Sequence, residues 1–409
     1  MDGHDDGGPG ATYGQGHRGD RVNGHPATDT PRLRDGLGFT ARVFAAVWAG
    51  WALLGLLGVQ IIAAGHPVSV PGLDAQPASP GWHNLLTVGN RGDALWYQRI
   101  ATGGYRTDDA SAAFFPLFPA AIHVLASLTG MGPFAAALVI AQLSFFGALA
   151  VLYALTAREL GTDAARLATR YLAVFPTAFF FLVPYSEAPF LLLALLTFWY
   201  ARANRWWAAL VPATLGALTR SVGVVLVAAL AVEAMVQWRT AGRRLFPRLL
   251  ASLAPAVGLA LYGAYWAVLN HDLMAPVRAQ RNWQRVWASP AQTLAGAAKY
   301  AWQFQSYWLI DVLIVGLVLV TMLAGARLLP GKLPYLVYAV ASLLLPLSNP
   351  FPDRPLMSVP RFMAVVFPAF WVIAVAVKRR RLSHSLVIGV FCGGYALLGL
   401  LFMNNYAIF

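Results

Sequence analysis

The chain has 409 residues, of which 58% are hydrophobic and only 11% carry a charged side chain. Soluble domains usually contain about 25% charged residues, so this composition excludes an ordinary soluble globular protein. The net charge of +13 would suit a nucleic-acid-binding protein, but the basic residues stand mostly at the ends of apolar runs. That placement is typical of membrane orientation. We therefore predict a multi-pass membrane protein with membrane lipids, and not nucleic acid, as its surroundings.

Residues 1–36 are rich in glycine, aspartate and histidine and contain almost no large apolar side chain. Such a segment cannot bury enough apolar surface to fold, so we expect a disordered cytoplasmic tail over 1–36. Residues 37–409 would then form one transmembrane domain. The single cysteine, Cys392, lies inside an apolar run, which excludes intramolecular disulfides.

Apolar runs of membrane-spanning character recur along the chain after this tail. They predict an all-α polytopic protein with eleven transmembrane helices, several of them shorter than a full span. One further run, residues 115–130, is short and contains prolines, so we expect a helix along the outer membrane surface there. The eleven predicted helices are 43–64, 133–157, 168–184, 188–201, 206–219, 222–238, 249–269, 306–325, 333–347, 362–377 and 385–404.

The basic residues select the orientation. With the N-terminus in the cytoplasm, every strong basic cluster falls on the cytoplasmic side, as the positive-inside rule requires. The long loops 65–132, 270–305 and 348–361 then lie outside, and we expect the functional residues there. The inner clusters are Arg32, Arg34 and Arg42, then Arg158, Arg166 and Arg170, then Arg202 and Arg205, then Arg239, Arg243, Arg244 and Arg248, then Arg327 and Lys332, and finally residues 378–381.

The first outer loop contains the strongest candidate for chemistry, Asp93. Arg91 precedes it, and Trp96, Tyr97 and Tyr105 follow it in RGDALWYQRIATGGY. A carboxylate held at the membrane surface is suited to take the proton from an attacking sugar hydroxyl. An ordinary loop aspartate is the alternative, and composition alone favours that alternative slightly.

The second candidate acid is Glu187, which follows Tyr185 and Ser186 in the outer turn VPYSEAPF. A charge against the bilayer normally has a partner or a function, although an acid favoured by the helix dipole is the alternative. Arg220 interrupts an apolar run near the same face. We expect it to act as a counter-ion, with a purely structural pair to Glu187 as the alternative.

Arg361 begins an apolar helix at the predicted depth of the lipid headgroups. A guanidinium there can hold a phosphate through two parallel hydrogen bonds, whereas snorkelling towards lipid headgroups is the alternative. We predict that Arg361 meets the phosphate of a lipid-linked donor, with Arg220 as second choice. The loop 270–305 offers further arginines beside tryptophans, namely Arg278, Arg281 and Arg285.

The sequence lacks a Walker loop, a dinucleotide fingerprint beside a strand, and any His/Cys spacing typical of a metal site. A transferase whose acids lie outside the cytoplasm has no easy access to cytosolic nucleotide sugars, so a lipid-linked phosphate donor fits this layout. The competing hypothesis is a transporter or lipid flippase. Such a protein would keep its functional charges at mid-membrane and would usually show paired halves, which we do not find.

Four stretches of the chain resemble the bacterial form of the PIG-V family, the GPI mannosyltransferase 2 family. One difference is Gly92, which stands where the family usually has an aromatic residue before the loop aspartate. The resemblance covers about residues 43–380. Its four stretches are RGDALWYQRIATGGY with AFFPLFP, VFPTAFFFLVPYSEAPFLLL, RWWAALVPATLGALTRSVG and VPRFMAVVFPAF.

The resemblance implies the GT-C membrane glycosyltransferase fold, with surface helices in the first outer loop. It implies inverting transfer of mannose from a polyprenyl-phosphate-mannose donor to a glycolipid or other glycan acceptor on the outer face of the plasma membrane. Asp93 would be the base, and Glu187 would orient the acceptor or assist. No metal would be obligatory, because arginines balance the charge of the leaving phosphate.

Overall fold

The computed structural model describes residues 33–63, 65–75, 81, 85, 87–303 and 308–406. Most of the predicted tail, residues 1–32, lies outside the described residues. Within the described part the regular structure is helical, apart from one isolated bridge between Val70 and Leu73. The α-helices are α1 Leu33–Ile61, α2 Asp93–Gly103, α3 Leu117–Thr129, α4 Pro133–Leu160, α5 Thr162–Ala173, α6 Glu187–Arg202, α7 Trp206–Thr219, α8 Val225–Ala241, α9 Leu245–Ser252, α10 Ala254–Asn270, α11 Ala275–Asn282, α12 Pro290–Gln303, α13 Trp308–Leu328, α14 Leu333–Leu347, α15 Val359–Met363, α16 Pro368–Lys378 and α17 His384–Met403.

Six helical segments in the described part are long and apolar enough to cross a membrane. They include α1, α4, α8, the pair α9–α10, α13 and α17, and they confirm a multi-pass membrane protein. Four helices of 10–17 residues are also apolar: α3, α7, α14 and α16. The predicted surface run 115–130 is indeed helical, and at 13 residues α3 is about 20 Å long, too short for a full crossing.

Two predicted helices are interrupted in the structure. The predicted helix 168–184 stops at Ala173, and a buried irregular segment with a 3₁₀ turn at Ala178–Phe181 follows. The predicted helix 362–377 is divided into α15 and α16. Pro176, Pro184 and Pro368 stand at these breaks, and a proline lacks the N–H that would continue the helical hydrogen bonds. The prediction of continuous helices there was wrong.

The core is formed around α6 and the segment before it. Phe179, Phe180 and Phe181 are fully buried, and Trp51 of α1 stacks on Phe179 with ring centroids 5.5 Å apart. A helix that is apolar on every side belongs in the interior, and α6 accordingly lies between α4 and α7. The chain leaving this core delivers Glu187 at the first position of α6.

The first and last helices define two ends of the bundle. At one end the backbone N–H of Gly65, just after α1, donates to the carbonyl of Asn404, just after α17. Towards the other end, Phe39 near the start of α1 contacts Tyr153 in the last part of α4, with ring centroids 5.4 Å apart. At 29 residues α1 is about 43 Å long. It therefore spans the distance between the two ends.

At the end of the bundle near Phe39 and Tyr153, two buried acids form ion pairs with basic residues. From the sequence we gave these basic residues no role other than membrane orientation. Glu159 pairs with Arg202 at 2.9 Å and with Lys332, and Arg202 also lies 3.2 Å from Glu233. Both carboxylates are almost completely buried. Breaking a buried pair leaves an uncompensated charge. These pairs therefore fix the ends of α4, α6 and α8 relative to one another.

Candidate active site

The first acid of the site is placed by a short anchored loop. Arg91 donates from Nη1 to the carbonyls of Phe402 and Met403, at 2.6 and 2.7 Å, which ties the loop to the end of α17. The carbonyl of Arg91 accepts a hydrogen bond from the hydroxyl of Tyr185 at 3.0 Å. Asp93 then begins α2 two residues later.

Gly92 makes this loop possible. Its φ of +57° lies in the left-handed region, which disfavours residues with a Cβ. A Cβ at this position would lie only 2.6 Å from the hydroxyl oxygen of Tyr185. The space next to the aspartate is therefore already filled by an aromatic side chain from elsewhere in the chain. This explains why a glycine suits a position where the resembling family has an aromatic residue.

Four charged side chains from distant parts of the chain form one cluster, which we call the acid–arginine cluster. Arg361 forms two ion pairs: its Nη1 lies 2.7 Å from Asp93 Oδ2, and its Nε lies 3.0 Å from Glu187 Oε1. Arg220 approaches the same Glu187 oxygen at 2.7 Å. The two acids thus share Arg361, and Glu187 also binds Arg220.

The two carboxylates differ in accessibility. The side chain of Asp93 is 27% exposed, whereas that of Glu187 is 0% exposed. Asp93 is therefore accessible from solvent, while Glu187 is enclosed by its two arginines. Arg361 is itself enclosed by aromatic rings, because its guanidinium lies 5.0–5.4 Å from the ring centroids of Phe180, Tyr185 and Phe362.

Ser186 connects this cluster to α2. Its hydroxyl is hydrogen-bonded to the hydroxyl of Tyr97 at 2.7 Å and accepts from Nη1 of Arg220 at 3.0 Å. Burial raises the pKa of Tyr97 well above its ordinary value, although the nearby Arg220 lowers it somewhat. Tyr97 therefore remains a neutral hydroxyl at physiological pH, and it serves as a hydrogen-bonding group.

Arg285, in the loop after α11, is a third arginine near the cluster. It donates from Nη1 to the carbonyl of Asn349 at 2.9 Å and lies 4.4 Å from the ring centroid of Phe351. The pKa of Arg285 is lowered to about 10, mainly by burial; the nearby Arg361 and Arg220 contribute to the decrease, and Asp93 opposes it. It has no carboxylate partner among the described residues. Two acids therefore face three arginines, which leaves one positive charge in excess.

Three predicted substrate-binding residues lie outside the acid–arginine cluster. The guanidinium of Arg91 is occupied by two backbone carbonyls. Trp96 stacks on Phe114 with centroids 5.3 Å apart, and Tyr105 donates to the carbonyl of Phe114 at 2.7 Å. These contacts stabilise the first loop, so the three residues have structural contacts in this protein. Tyr185 and Ser186, by contrast, contact the cluster: the ring of Tyr185 lies against Arg361, and the hydroxyl of Ser186 accepts from Arg220.

The described residues contain no group of three or more His, Cys, Asp or Glu side chains that could hold a metal ion. Positive charge at the site comes from the arginines. Of the arginines in the loop 270–305, Arg278 pairs with Asp272, and the side chain of Arg281 lies outside the described residues. The sequence did not distinguish Arg285 from Arg278 and Arg281. The groups near Arg285 in space, which include Asp93 and Arg361, are far from it in sequence.

The fold resembles those of two solved membrane proteins. ArnT from Cupriavidus metallidurans, in a crystal structure with bound undecaprenyl phosphate, matches 88% of this chain with 18% sequence identity and a TM-score of 0.50. The oligosaccharyltransferase of Archaeoglobus fulgidus, in complex with Zn and sulfate, matches 88% of this chain with 13% identity and a TM-score of 0.46. This chain covers 63% of the former and 53% of the latter. No family model and no curated protein matches the sequence.

The match to ArnT concerns the fold. The chain has the fold of the GT-C membrane glycosyltransferases, as the resemblance implied. At 18% identity the likeness shows the fold alone, and the chain spans less than two thirds of the length of ArnT. Membership of the PIG-V family remains a prediction.

The substitution Gly92→Ala should reduce glycosyl transfer, since the new methyl group would displace Tyr185 from the cluster. Gly104→Ala is a matched control: its φ is also positive, at +74°, but nothing lies within 4 Å of the added Cβ. A sparsely populated backbone conformation with positive φ costs a residue with a Cβ roughly 1–3 kcal/mol, in either variant. Thermal unfolding in detergent should show losses of stability in both variants, with the transfer rate falling only in Gly92→Ala. Equal transfer rates in the two variants would contradict this placement of Tyr185.

Proposed function

We propose that the protein transfers a sugar from a polyprenyl-phosphate donor to a hydroxyl of a glycolipid or other glycan acceptor, on the outer face of the plasma membrane. The observation that carries the proposal is the acid–arginine cluster. It combines one partly exposed carboxylate and one buried carboxylate with two arginines, and Arg285 beside it adds one positive charge in excess. The GT-C fold supports a membrane glycosyltransferase in general.

Asp93 is the base in this proposal. Its partly exposed carboxylate accepts the proton from the acceptor hydroxyl as the hydroxyl oxygen attacks the anomeric carbon. The bond between this carbon and the phosphate oxygen breaks, and the lipid phosphate leaves with the electron pair. Attack from the side opposite the leaving phosphate inverts the configuration at the anomeric carbon.

Glu187 acts as a positioning residue. It is completely enclosed, so it does not contact the acceptor directly, but it fixes Arg361 through Nε and Arg220 through Nη1. Arg361 held in this way presents Nη1 to Asp93. The pair keeps the carboxylate of the base oriented, and proton transfer requires a positioned base.

The excess positive charge meets the leaving phosphate. Negative charge grows on the phosphate as the glycosidic bond breaks, and fixed cations in a site shielded from water stabilise it most effectively. Arg361 and Arg220 are already neutralised by two acids, while Arg285 has no carboxylate partner among the described residues. We therefore assign the donor phosphate to Arg285, with Arg361 completing the contact from the side of Asp93.

The sugar is mannose in this proposal, and its support is the resemblance of four sequence stretches to the PIG-V family. The test uses purified protein in vesicles that contain radiolabelled polyprenyl-phosphate mannose and a glycolipid extract. Label should pass to the extract with the wild-type protein and not with Asp93→Asn. Transfer from polyprenyl-phosphate glucose but not from the mannose donor would overturn the sugar and keep the class. Movement of donor across the vesicle membrane without transfer would favour a flippase instead.

Replacing Arg285 by glutamine should raise the KM for the donor about 10- to 100-fold, because a hydrogen bond to a charged group contributes roughly 1.5–3 kcal/mol. The KM for the acceptor should hardly change. The donor KM of Arg285→Lys should lie between the values of the wild type and of Arg285→Gln. Arg278→Gln is the control, since Arg278 is exposed and pairs with Asp272. An unchanged donor KM in Arg285→Gln would refute the assignment.

The orientation can be tested with single cysteines in a Cys392→Ser background. Asp108→Cys lies in the first loop, where the native side chain is 73% exposed, and Arg380→Cys lies in the exposed turn before α17. A membrane-impermeant maleimide should label position 108 on intact cells and position 380 only after permeabilisation. The reverse pattern would place the acid–arginine cluster in the cytoplasm and overturn an outer active face.

A further inference from the structure

A cavity lies at the opposite end of the bundle from the acid–arginine cluster. It has a volume of about 840 Å³ and opens between the first half of α1, the helix α5 and the start of α17. A volume of this size is typical of small-molecule sites. Two residues of α1 give the distance between the cavity and the acid–arginine cluster. Arg42 lines the cavity, and Gly58, 16 residues later, packs beside Asn404 at the end of the bundle that holds the cluster. That separation is about 24 Å along the helix, so the two sites are distinct.

Three arginines line the polar side of the cavity: Arg42, Arg166 and Arg170. No acidic residue lines it, and none of the three makes an ion pair with any described residue. Other basic residues at this end do have acidic partners, since Lys332 pairs with Glu159 and Lys378 lies 3.8 Å from Asp163. The cavity therefore concentrates positive charge that the protein itself leaves uncompensated.

The other side of the cavity is apolar. Phe39, Val43 and Val47 line it along α1, and the guanidinium of Arg170 lies 5.2 Å from the ring centroid of Phe39. Charge and hydrocarbon thus adjoin in one cavity at the end of a membrane-spanning helix. A soluble anion would use only the arginines, whereas a phospholipid uses both halves.

We propose that this cavity binds an anionic phospholipid. Its phosphate lies among Arg42, Arg166 and Arg170, and an acyl chain runs along Val43 and Val47 of α1. Arginine is suited to phosphate through bidentate hydrogen bonds, and basic pockets between transmembrane helices are known to hold anionic headgroups. The lipid would link α1 to α5.

This link matters because α1 is the least enclosed of the six candidate spans. Only 22% of its apolar window is buried inside the protein, against 28–39% for the other five. A ligand that binds the folded state raises its stability by mass action. The bound lipid should therefore stabilise the protein against thermal unfolding.

The test uses the full chain purified in a neutral detergent, with phosphatidylglycerol added as the probe. Bound lipid is counted by native mass spectrometry, and thermal unfolding is followed in parallel. Replacing Arg42, Arg166 and Arg170 by glutamine should weaken binding about 100-fold, because each arginine at a lipid surface changes affinity about fivefold. The matched control replaces Arg379, Arg380 and Arg381 by glutamine, which removes the same charge at the same end of the bundle outside the cavity.

Loss of lipid and of the lipid-dependent rise in Tm in the cavity variant alone would support the proposal. Equal losses in both triple variants, or in neither, would overturn it. Ala46→Trp provides a second test, since it keeps all three charges and fills part of the cavity. It should also reduce lipid binding, and unchanged binding would count against the acyl-chain half. Inorganic phosphate should neither displace the lipid nor raise the Tm by itself; if it does both, the cavity is a site for a soluble anion and the lipid assignment fails.

Discussion

Replacing Asp93 by asparagine is expected to abolish glycosyl transfer while the protein stays folded. Asparagine keeps the size of the side chain and can still accept a hydrogen bond from Arg361, but it cannot take a proton. A positioned base contributes about 100- to 10,000-fold to the rate. The loss should appear in kcat for any acceptor, because the step that fails is deprotonation of the hydroxyl.

The matched control is Asp108→Asn, which removes a strongly exposed acid of the same loop. This control should transfer sugar at the wild-type rate. Both variants should also unfold at nearly the wild-type temperature. Near-normal turnover by Asp93→Asn would show that Asp93 is an ordinary loop residue and would remove the central element of the mechanism.

Replacing Arg361 by lysine should lower kcat and weaken donor use together. The guanidinium contacts Asp93 through Nη1 and Glu187 through Nε at the same time, at 2.7 and 3.0 Å. A lysine keeps the charge but has one nitrogen, so it cannot reproduce this fork. Losing one hydrogen bond to a charged group costs roughly 1.5–3 kcal/mol, which corresponds to about a 10- to 100-fold decrease in rate.

Arg361→Ala should lower kcat and donor use more than Arg361→Lys does, because Glu187 would keep only Arg220 as its partner. Asp93 would lose its ion-pair partner as well, so the loss should appear in thermal unfolding as well as in transfer. Arg354→Lys is a suitable control, since Arg354 also forms a buried pair, with Asp311 at 3.0 Å, away from the cluster. Normal donor kinetics in Arg361→Ala would show that Arg361 contributes nothing to the site.

The sequence allowed the spans to be predicted where apolar runs continue without interruption, as in α4, α13 and α17. It did not reveal the break after Ala173. The residues that follow are as apolar as a spanning helix, and a buried irregular segment has the same composition. Prolines were visible there, but prolines also occur inside helices, as Pro212 does in α7. Only the path of the backbone distinguishes a continuous helix that contains a proline from a buried irregular segment.

Glu187 and Arg220 were singled out because charges beside apolar runs are rare and costly, and Asp93 because aromatic and basic residues accompany it in the first outer loop. Their roles were harder to infer, since they depend on contacts among residues 93, 187, 220 and 361, which are far apart in sequence. The difference in exposure between Asp93 and Glu187 was likewise invisible. Trp96 and Tyr105 have the composition of a sugar-binding loop, yet their rings and hydroxyls are used to pack that loop.

The attachment of Arg91 to Phe402 and Met403 bears on biosynthesis. Arg91 precedes Phe402 and Met403 by 311 and 312 residues in the chain. The loop with Asp93 is therefore synthesised early, and these two hydrogen bonds can form only after α17 has been synthesised. During elongation the catalytic loop would have no partner for the guanidinium at its start. Chains shortened before residue 402 would therefore lack both carbonyls that tie the loop of Asp93 to the end of α17.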